Sequence, residues 1–193
     1  MKNKQVDITY VGHSTFILDT KSGTRLLIDP WLKGNPACPE ELQEPKDIDY
    51  ILVTHGHFDH IGDILPACEL NKEAKVIASL EISTWLNSKD VANTLPMGIG
   101  GTQPIDNDIK VTMVNAVHTS GIADDSSGAM LYGGCANGFI VEFKNGFKVY
   151  LAGDTAVFSD MKLIGEIYSP DIAILPIGDH FTMGPKEAYY ATK

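Results

Sequence analysis

The stretch Thr54-His55-Gly56-His57-Phe58-Asp59-His60 constrains this chain more than any other. It follows an apolar, β-prone run, Tyr50-Ile51-Leu52-Val53, and leads into a helical pattern from Asp63 to Leu70. The motif therefore sits where a strand ends and a helix begins. In an extended segment residues i and i+2 face the same side, so the imidazoles of His55 and His57 can reach one metal ion. Asp59 and His60 fall just beyond, where the chain must turn, and point at a neighbouring position close enough for a second ion. Crowding four ligand-type side chains into six residues is costly without a cation, because a buried carboxylate needs a charge partner. The competing reading is a solvated histidine-rich turn, and the rest of the chain bears on which holds.

Upstream, residues 6–11 alternate apolar and polar as a strand, Gly12-His13-Ser14 makes a turn, and residues 15–18 and 25–28 read as two more strands, the last ending at Asp29-Pro30. His13 and Asp29 thus lie at strand ends. Each reads either as a group that orients a metal ligand by a hydrogen bond, or as a plain turn histidine and a cap before proline. Residues 31–47 form a loop.

Downstream, residues 75–78 read as a strand, 79–86 as a short helix and 98–101 as a turn. Residues 109–117 alternate as a long strand and deliver His118 at its end. A lone histidine is usually structural, but this placement repeats that of the first motif and makes His118 a candidate third partner for His55 and His57. Residues 119–138 are rich in Gly, Ser and Asp and lack a clear period. Such a segment reads as an active-site lid or as a mobile surface loop. A hairpin follows through Lys144-Asn145-Gly146, its second strand ending in Ala152-Gly153-Asp154-Thr155. Asp154 reads as a carboxylate able to bridge two cations, or as the cap of the next helix. Residues 160–168 have helical spacing, residues 171–177 read as a buried strand, and Gly178-Asp179-His180-Phe181-Thr182 is a loop entering a helix with Pro185 in its first turn.

Composition narrows the function classes. The 193 residues suit a single domain with a full core, and no apolar run approaches the ~20 residues of a membrane span. The first residues hold no apolar leader core, so a soluble, cytoplasmic protein is expected. Cys38, Cys68 and Cys135 are far apart and read as small packed hydrophobes. A formal charge of −10, with Arg25 the single arginine, argues against a nucleic-acid partner and leaves little for bidentate phosphate clamping.

HxHxDH after an apolar strand, a later strand-end histidine and a later Gly-Asp together resemble the metallo-β-lactamase superfamily. Gly12-His13-Ser14, Leu27-Ile28-Asp29-Pro30, Ala152-Gly153-Asp154-Thr155, Phe158-Ser159-Asp160-Met161, Leu175-Pro176-Ile177-Gly178-Asp179 and Phe181-Thr182-Met183-Gly184-Pro185 are similar to its metal-dependent hydrolase branch related to ascorbate-6-phosphate lactonase. The resemblance implies an α/β fold, the αββα sandwich, over a single domain of residues 1–193. It implies two divalent ions, zinc first and manganese or iron otherwise: one held by His55, His57 and His118, a second by Asp59 and His60, with Asp154 bridging. His13, Asp29, His180 and Thr182 are candidates for supporting those ligands or contacting substrate. The family pattern also places a final histidine on a strand after the helix that begins at Pro185. The sequence stops inside that helix, so a C-terminally truncated chain, lacking a helix and strand, is expected.

Such ligands suit hydrolysis. Two ions ~3.5–4 Å apart would share a water, lower its pKa toward ~7 and aim it at a carbonyl or phosphoryl centre, with Asp59 as the catalytic proton acceptor. A small ester, a lactone first, is the expected substrate. A phosphodiester and a non-catalytic metal-binding or assembly module are the alternatives, and homo-oligomerisation stays open.

Overall fold

The computed structural model describes residues 6–124 and 127–193, so the N-terminal segment 1–5 and two residues of the expected lid lie outside the described residues. In chain order the elements are β1 (Val6–Gly12), β2 (Thr15–Thr20), β3 (Arg25–Ile28), β4 (Tyr50–Leu52), α1 (Phe58–Ile61), α2 (Ile64–Leu70), β5 (Lys75–Ser79), α3 (Leu80–Asn87), β6 (Thr94–Met97), β7 (Thr102–Pro104), β8 (Ile109–Asn115), β9 (Gly121–Ala123), β10 (Met130–Tyr132), β11 (Asn137–Phe143), β12 (Lys148–Leu151), α4 (Met161–Tyr168), β13 (Ile172–Ile174) and α5 (Pro185–Ala191). They divide into two compact units, residues 6–97 with 120–134, and residues 98–119 with 135–193.

The first unit holds a six-stranded sheet in the order β1-β2-β3-β4-β5-β6. β1, β2 and β3 pair antiparallel through tight turns, whereas β3 to β6 run parallel. Parallel neighbours need long crossovers, and α1 with α2, then α3, supply two of them. The central strands, Leu26-Leu27-Ile28, Tyr50-Ile51-Leu52 and Val76-Ile77-Ala78, are continuous apolar runs, as strands buried on both faces must be. Ile17, Leu27, Ile51 and Val76 lie directly opposite one another across four strands. That row packs on Ile64 and Ala67 of α2 and on Ile82 and Leu86 of α3. Burying each large aliphatic side chain contributes about 1.5–3 kcal/mol. Ser79 caps α3, its Oγ accepting from the Ile82 amide at 3.2 Å. The register leaves the carboxyl ends of β3 and β4 side by side, and Asp29 and the HxHxDH motif follow directly from them.

The second unit holds a five-stranded sheet in the order β13-β12-β11-β8-β7. β8, β11 and β12 pair antiparallel, and β12 to β13 is a parallel crossover through α4. Val114, Ile140, Tyr150 and Ala152 on one face pack with Ile164 of α4. The Asn145-Gly146 turn closes the β11–β12 hairpin with Gly146 at φ 78°.

Several local expectations need correction. Asp59 and His60 lie in the one-turn helix α1 rather than in a bare turn. The long strand before His118 ends at Asn115, two residues early. Residues 119–138 are not structureless, since β9 and β10 pair as a hairpin. The strand expected at 171–177 is the shorter β13 and is not buried; Ile172 is 38 % exposed, because β13 is an edge strand paired only with β12. Of the cysteines, Cys38 is buried, Cys68 is half-buried and Cys135 is exposed, so Cys135 is not the packed hydrophobe expected. Among the described residues no helix is long and apolar enough to cross a membrane.

Candidate metal centre

The ligand-bearing turn is organised by Asp29. This residue ends β3 in a left-handed conformation, φ 45°, which an aspartate adopts at a cost that its surroundings must offset. They do so through its buried carboxylate. Oδ1 accepts from the Thr54 amide at 2.7 Å, and Oδ2 accepts from Thr54 Oγ1 at 2.6 Å and lies 2.9 Å from His60 Nδ1. A carboxylate only accepts, so His60 donates from Nδ1, and Nε2 is the nitrogen the ring can offer to a cation. The single Thr54 hydroxyl proton is spent on Asp29. Its oxygen, 3.0 Å from His55 Nδ1, must therefore accept there, so Nε2 is again the nitrogen that the ring can offer. Asp29 thus sets the nitrogen that His60 offers directly and the one that His55 offers through Thr54.

The motif histidines are held close together. His55 Nε2 is 3.0 Å from His57 Nδ1, a separation that neighbouring ligands show on one ion with bonds of ~2.0–2.1 Å. His55 and His60 are fully buried, with ring centroids 3.9 Å apart. Gly56 between the two motif histidines has no room for a side chain: a Cβ there would meet Ile122 of β9 at 2.7 Å. Its amide donates to Ser120 Oγ at 3.1 Å, and that hydroxyl donates to the Gly133 carbonyl at 3.0 Å. The β9–β10 hairpin is thereby tied to the backbone of the ligand turn.

His13 occupies the tip of the β1–β2 turn at φ 53°. Its Nε2 lies 3.1 Å from Asp59 Oδ2, and donor atoms of His13, Asp59 and His60 all lie within 4.8 Å of one another. Donors on one ion at ~2.1 Å span at most ~4.2 Å, a separation of the same order as this set's. Burial alone would raise the Asp59 carboxyl; the hydrogen bond from His13 and the interaction with His60 outweigh it and hold the group below the usual carboxylate range. A carboxylate so placed is a good ligand and a weak base.

In the second unit, His118 Nε2 and Asp154 Oδ2 are 3.8 Å apart, too far for a hydrogen bond but within reach of a shared cation. Thr155 fixes this pair's backbone. Its hydroxyl accepts from the Val117 amide at 3.0 Å, and Ala156 donates to the Val117 carbonyl at 3.0 Å. His180 and Thr182 lie in the loop before α5: His180, at φ 48°, is exposed and packs edge-on against Phe181 at 4.2 Å, and Thr182 donates to the Met183 carbonyl at 3.4 Å. Neither joins any ligand cluster among the described residues.

Thr54, Ser120 and Thr155 were not singled out by sequence reasoning. A threonine beside a ligand carries no distinguishing spacing, and only the fold reveals where its one proton goes.

A family model described as a β-lactamase superfamily domain matches residues 24–193. A UPF0173 metal-dependent hydrolase from Rubrobacter xylanophilus is 52 % identical over 186 residues, covering 96 % of this chain and 76 % of that protein. One from Koribacter versatilis is 51 % identical, covering 96 % and 78 %. The solved structure of Igni18, a metallo hydrolase from Ignicoccus hospitalis, superposes with a TM-score of 0.84 at 34 % identity, covering 98 % of this chain and 78 % of that one. The chain belongs to the UPF0173 metal-dependent hydrolase family of the β-lactamase superfamily and has the metallo-β-lactamase fold.

Proposed function

We propose that this protein hydrolyses a small carboxylic ester, a lactone first, using divalent ions, zinc before manganese or iron. In this reading His55, His57 and His118 would hold one ion, Asp59 and His60 with His13 would hold the other, and Asp154 would serve both. The observation that carries this reading is the orientation of two buried imidazoles: Asp29 engages His60 and Thr54 engages His55 through Nδ1, so each ring offers Nε2, the nitrogen a divalent cation would take once it has given up any proton. When bound, such ions supply an acidified water and polarise the scissile carbonyl.

The protein's own part is orientation. Asp29 holds His60, and Thr54 holds His55, so neither ring can turn away without breaking a buried hydrogen bond. Asp59, held ionised by His13, accepts a hydrogen bond from the attacking water and receives its proton as the tetrahedral centre forms. Its low pKa favours the first of these duties over the second.

Ester over phosphodiester is favoured by the only arginine. Arg25 Nε is 3.0 Å from Asp19 Oδ1, and its guanidinium donates to the Lys46 carbonyl at 2.9 Å. It begins β3, whereas Asp29 follows the strand's end, roughly 13 Å away at ~3.3 Å per residue. It is therefore not placed to clamp a phosphate beside the ligand turn. A panel of five- and six-membered lactones, aryl acetates and bis-aryl phosphodiesters, run on metal-loaded protein, tests the reading. Turnover of lactones or acetates is expected; turnover of phosphodiesters alone would overturn it, and stoichiometric metal with no turnover would favour a non-catalytic module.

A further inference from the structure

Phe58 stands between His57 and Asp59 in sequence, at the start of α1, and is 65 % exposed. A large aromatic side chain left in water forgoes about 2 kcal/mol of burial, and here it does so between two ligand residues of the motif. It is not loose, however. Its ring meets Trp31 edge to face at 6.0 Å, and Trp31 in turn meets His13 edge to face at 5.1 Å. The indole is seated in a slot built for it: a Cβ on Gly34 would come within 2.7 Å of its Nε1, and one on Gly62 within 3.2 Å of its Cδ1. His13 then reaches Asp59. Asp59, His13, Trp31 and Phe58 therefore form a closed circuit, with an ionisable edge at Asp59 and an apolar edge at Phe58.

We propose that Trp31 and Phe58 form an apolar shelf that receives the acyl side of the substrate, selecting esters or lactones with an aliphatic chain or aryl ring next to the scissile carbonyl over small hydrophilic ones. This rests on the hydrolase reading above. The geometry supplies the two requirements of such a selector. The rings are fixed by edge-to-face contacts, so little freedom is lost when a chain settles on them. The shelf also shares His13 with Asp59, so a chain lying on it keeps its carbonyl near the ligand cluster. Phe58 is the selective element and Trp31 its support, because Phe58 carries the exposed surface and the half-buried Trp31 the fixed seat.

The test uses the metal-loaded full chain, as wild type, Phe58→Ala and Phe58→Leu. kcat/KM is measured for p-nitrophenyl esters from acetate to hexanoate. In parallel, affinities for the free carboxylates from acetate to octanoate are read by Trp31 fluorescence in a Trp85→Phe background, since the chain has two tryptophans. In the wild type both series should rise with chain length, by up to about fourfold per methylene. Phe58→Ala should flatten both to within about twofold across the series, Phe58→Leu should keep most of the rise, and metal content should be the same in all three. An unchanged slope in Phe58→Ala overturns the shelf. So does a slope unaffected by Phe58→Ala in a variant that has lost an oligomeric state, which would make Phe58 a contact between copies. Absence of ester turnover with a Phe58-dependent carboxylate series would instead overturn the hydrolase reading and leave the shelf standing.

Discussion

Asp29 Oδ2 lies 2.9 Å from His60 Nδ1, and the same oxygen accepts the Thr54 hydroxyl at 2.6 Å. One buried carboxylate therefore dictates which nitrogen two histidines present. Asp29→Asn keeps the shape but can set an amide N–H where an acceptor is needed, against Thr54 or His60. We expect metal affinity to fall by about 10–100-fold, as for other lost outer partners of ligating histidines. Thr54→Val should weaken the hold on His55 and leave the Asp29–His60 contact in place. Chelator competition on each purified variant measures both effects.

The tie between hairpin and ligand turn is testable at Gly56. A methyl there meets Ile122 at 2.7 Å, and Ile122 is buried in the core beside Ile51 and Val53. Gly56→Ala should cost about 1–3 kcal/mol, the usual range for overpacking, and should detach β9 and β10 from the turn. Limited proteolysis between residues 124 and 130 should then run faster than in the wild type, with urea denaturation reporting the stability loss.

The ligand motif, the apolar strand before it and the helix after it were legible because each is a local pattern: donors two residues apart, an unbroken apolar run and a period of 3.6. His118 and Asp154 follow the strands expected before them, each three residues past the strand's end. What the sequence did not carry is partnership. Thr54 acquires its role only because β3 and β4 pair in parallel register and bring Asp29 beside it. His13 reads as a turn residue until the turn is folded against α1. β9 and β10 are three residues each, too short to show alternation, and their anchor is a glycine amide that no side-chain pattern announces. β6 and β7 contain Pro96 and Pro104, which argue against strand in a local reading but are tolerated at sheet edges.

Tyr150 gives a prediction for the second unit. Its hydroxyl is buried without a hydrogen-bond partner among the described residues, and burial pushes its pKa up to about 12. Because the folded value is raised, the group's contribution to stability is intact below the unfolded value of about 10 and is lost as pH rises toward 12. Tyr150→Phe should therefore be neutral or stabilising by up to about 1 kcal/mol at pH 7, since it removes an unsatisfied polar atom. It should also soften the fall in stability between pH 10 and 12. Thermal denaturation of both proteins across that range is the check.

The central claim is that the HxHxDH turn holds the ions that perform hydrolysis. Its most direct test is a titration of chelator-stripped protein with zinc, counting bound metal and following lactone hydrolysis in the same samples, for wild type and His57→Ala. Activity should be absent without metal, rise with bound metal in the wild type, and stay near background in His57→Ala, which should bind less. Hydrolysis that survives chelation, or full metal content and full turnover in His57→Ala, would contradict it.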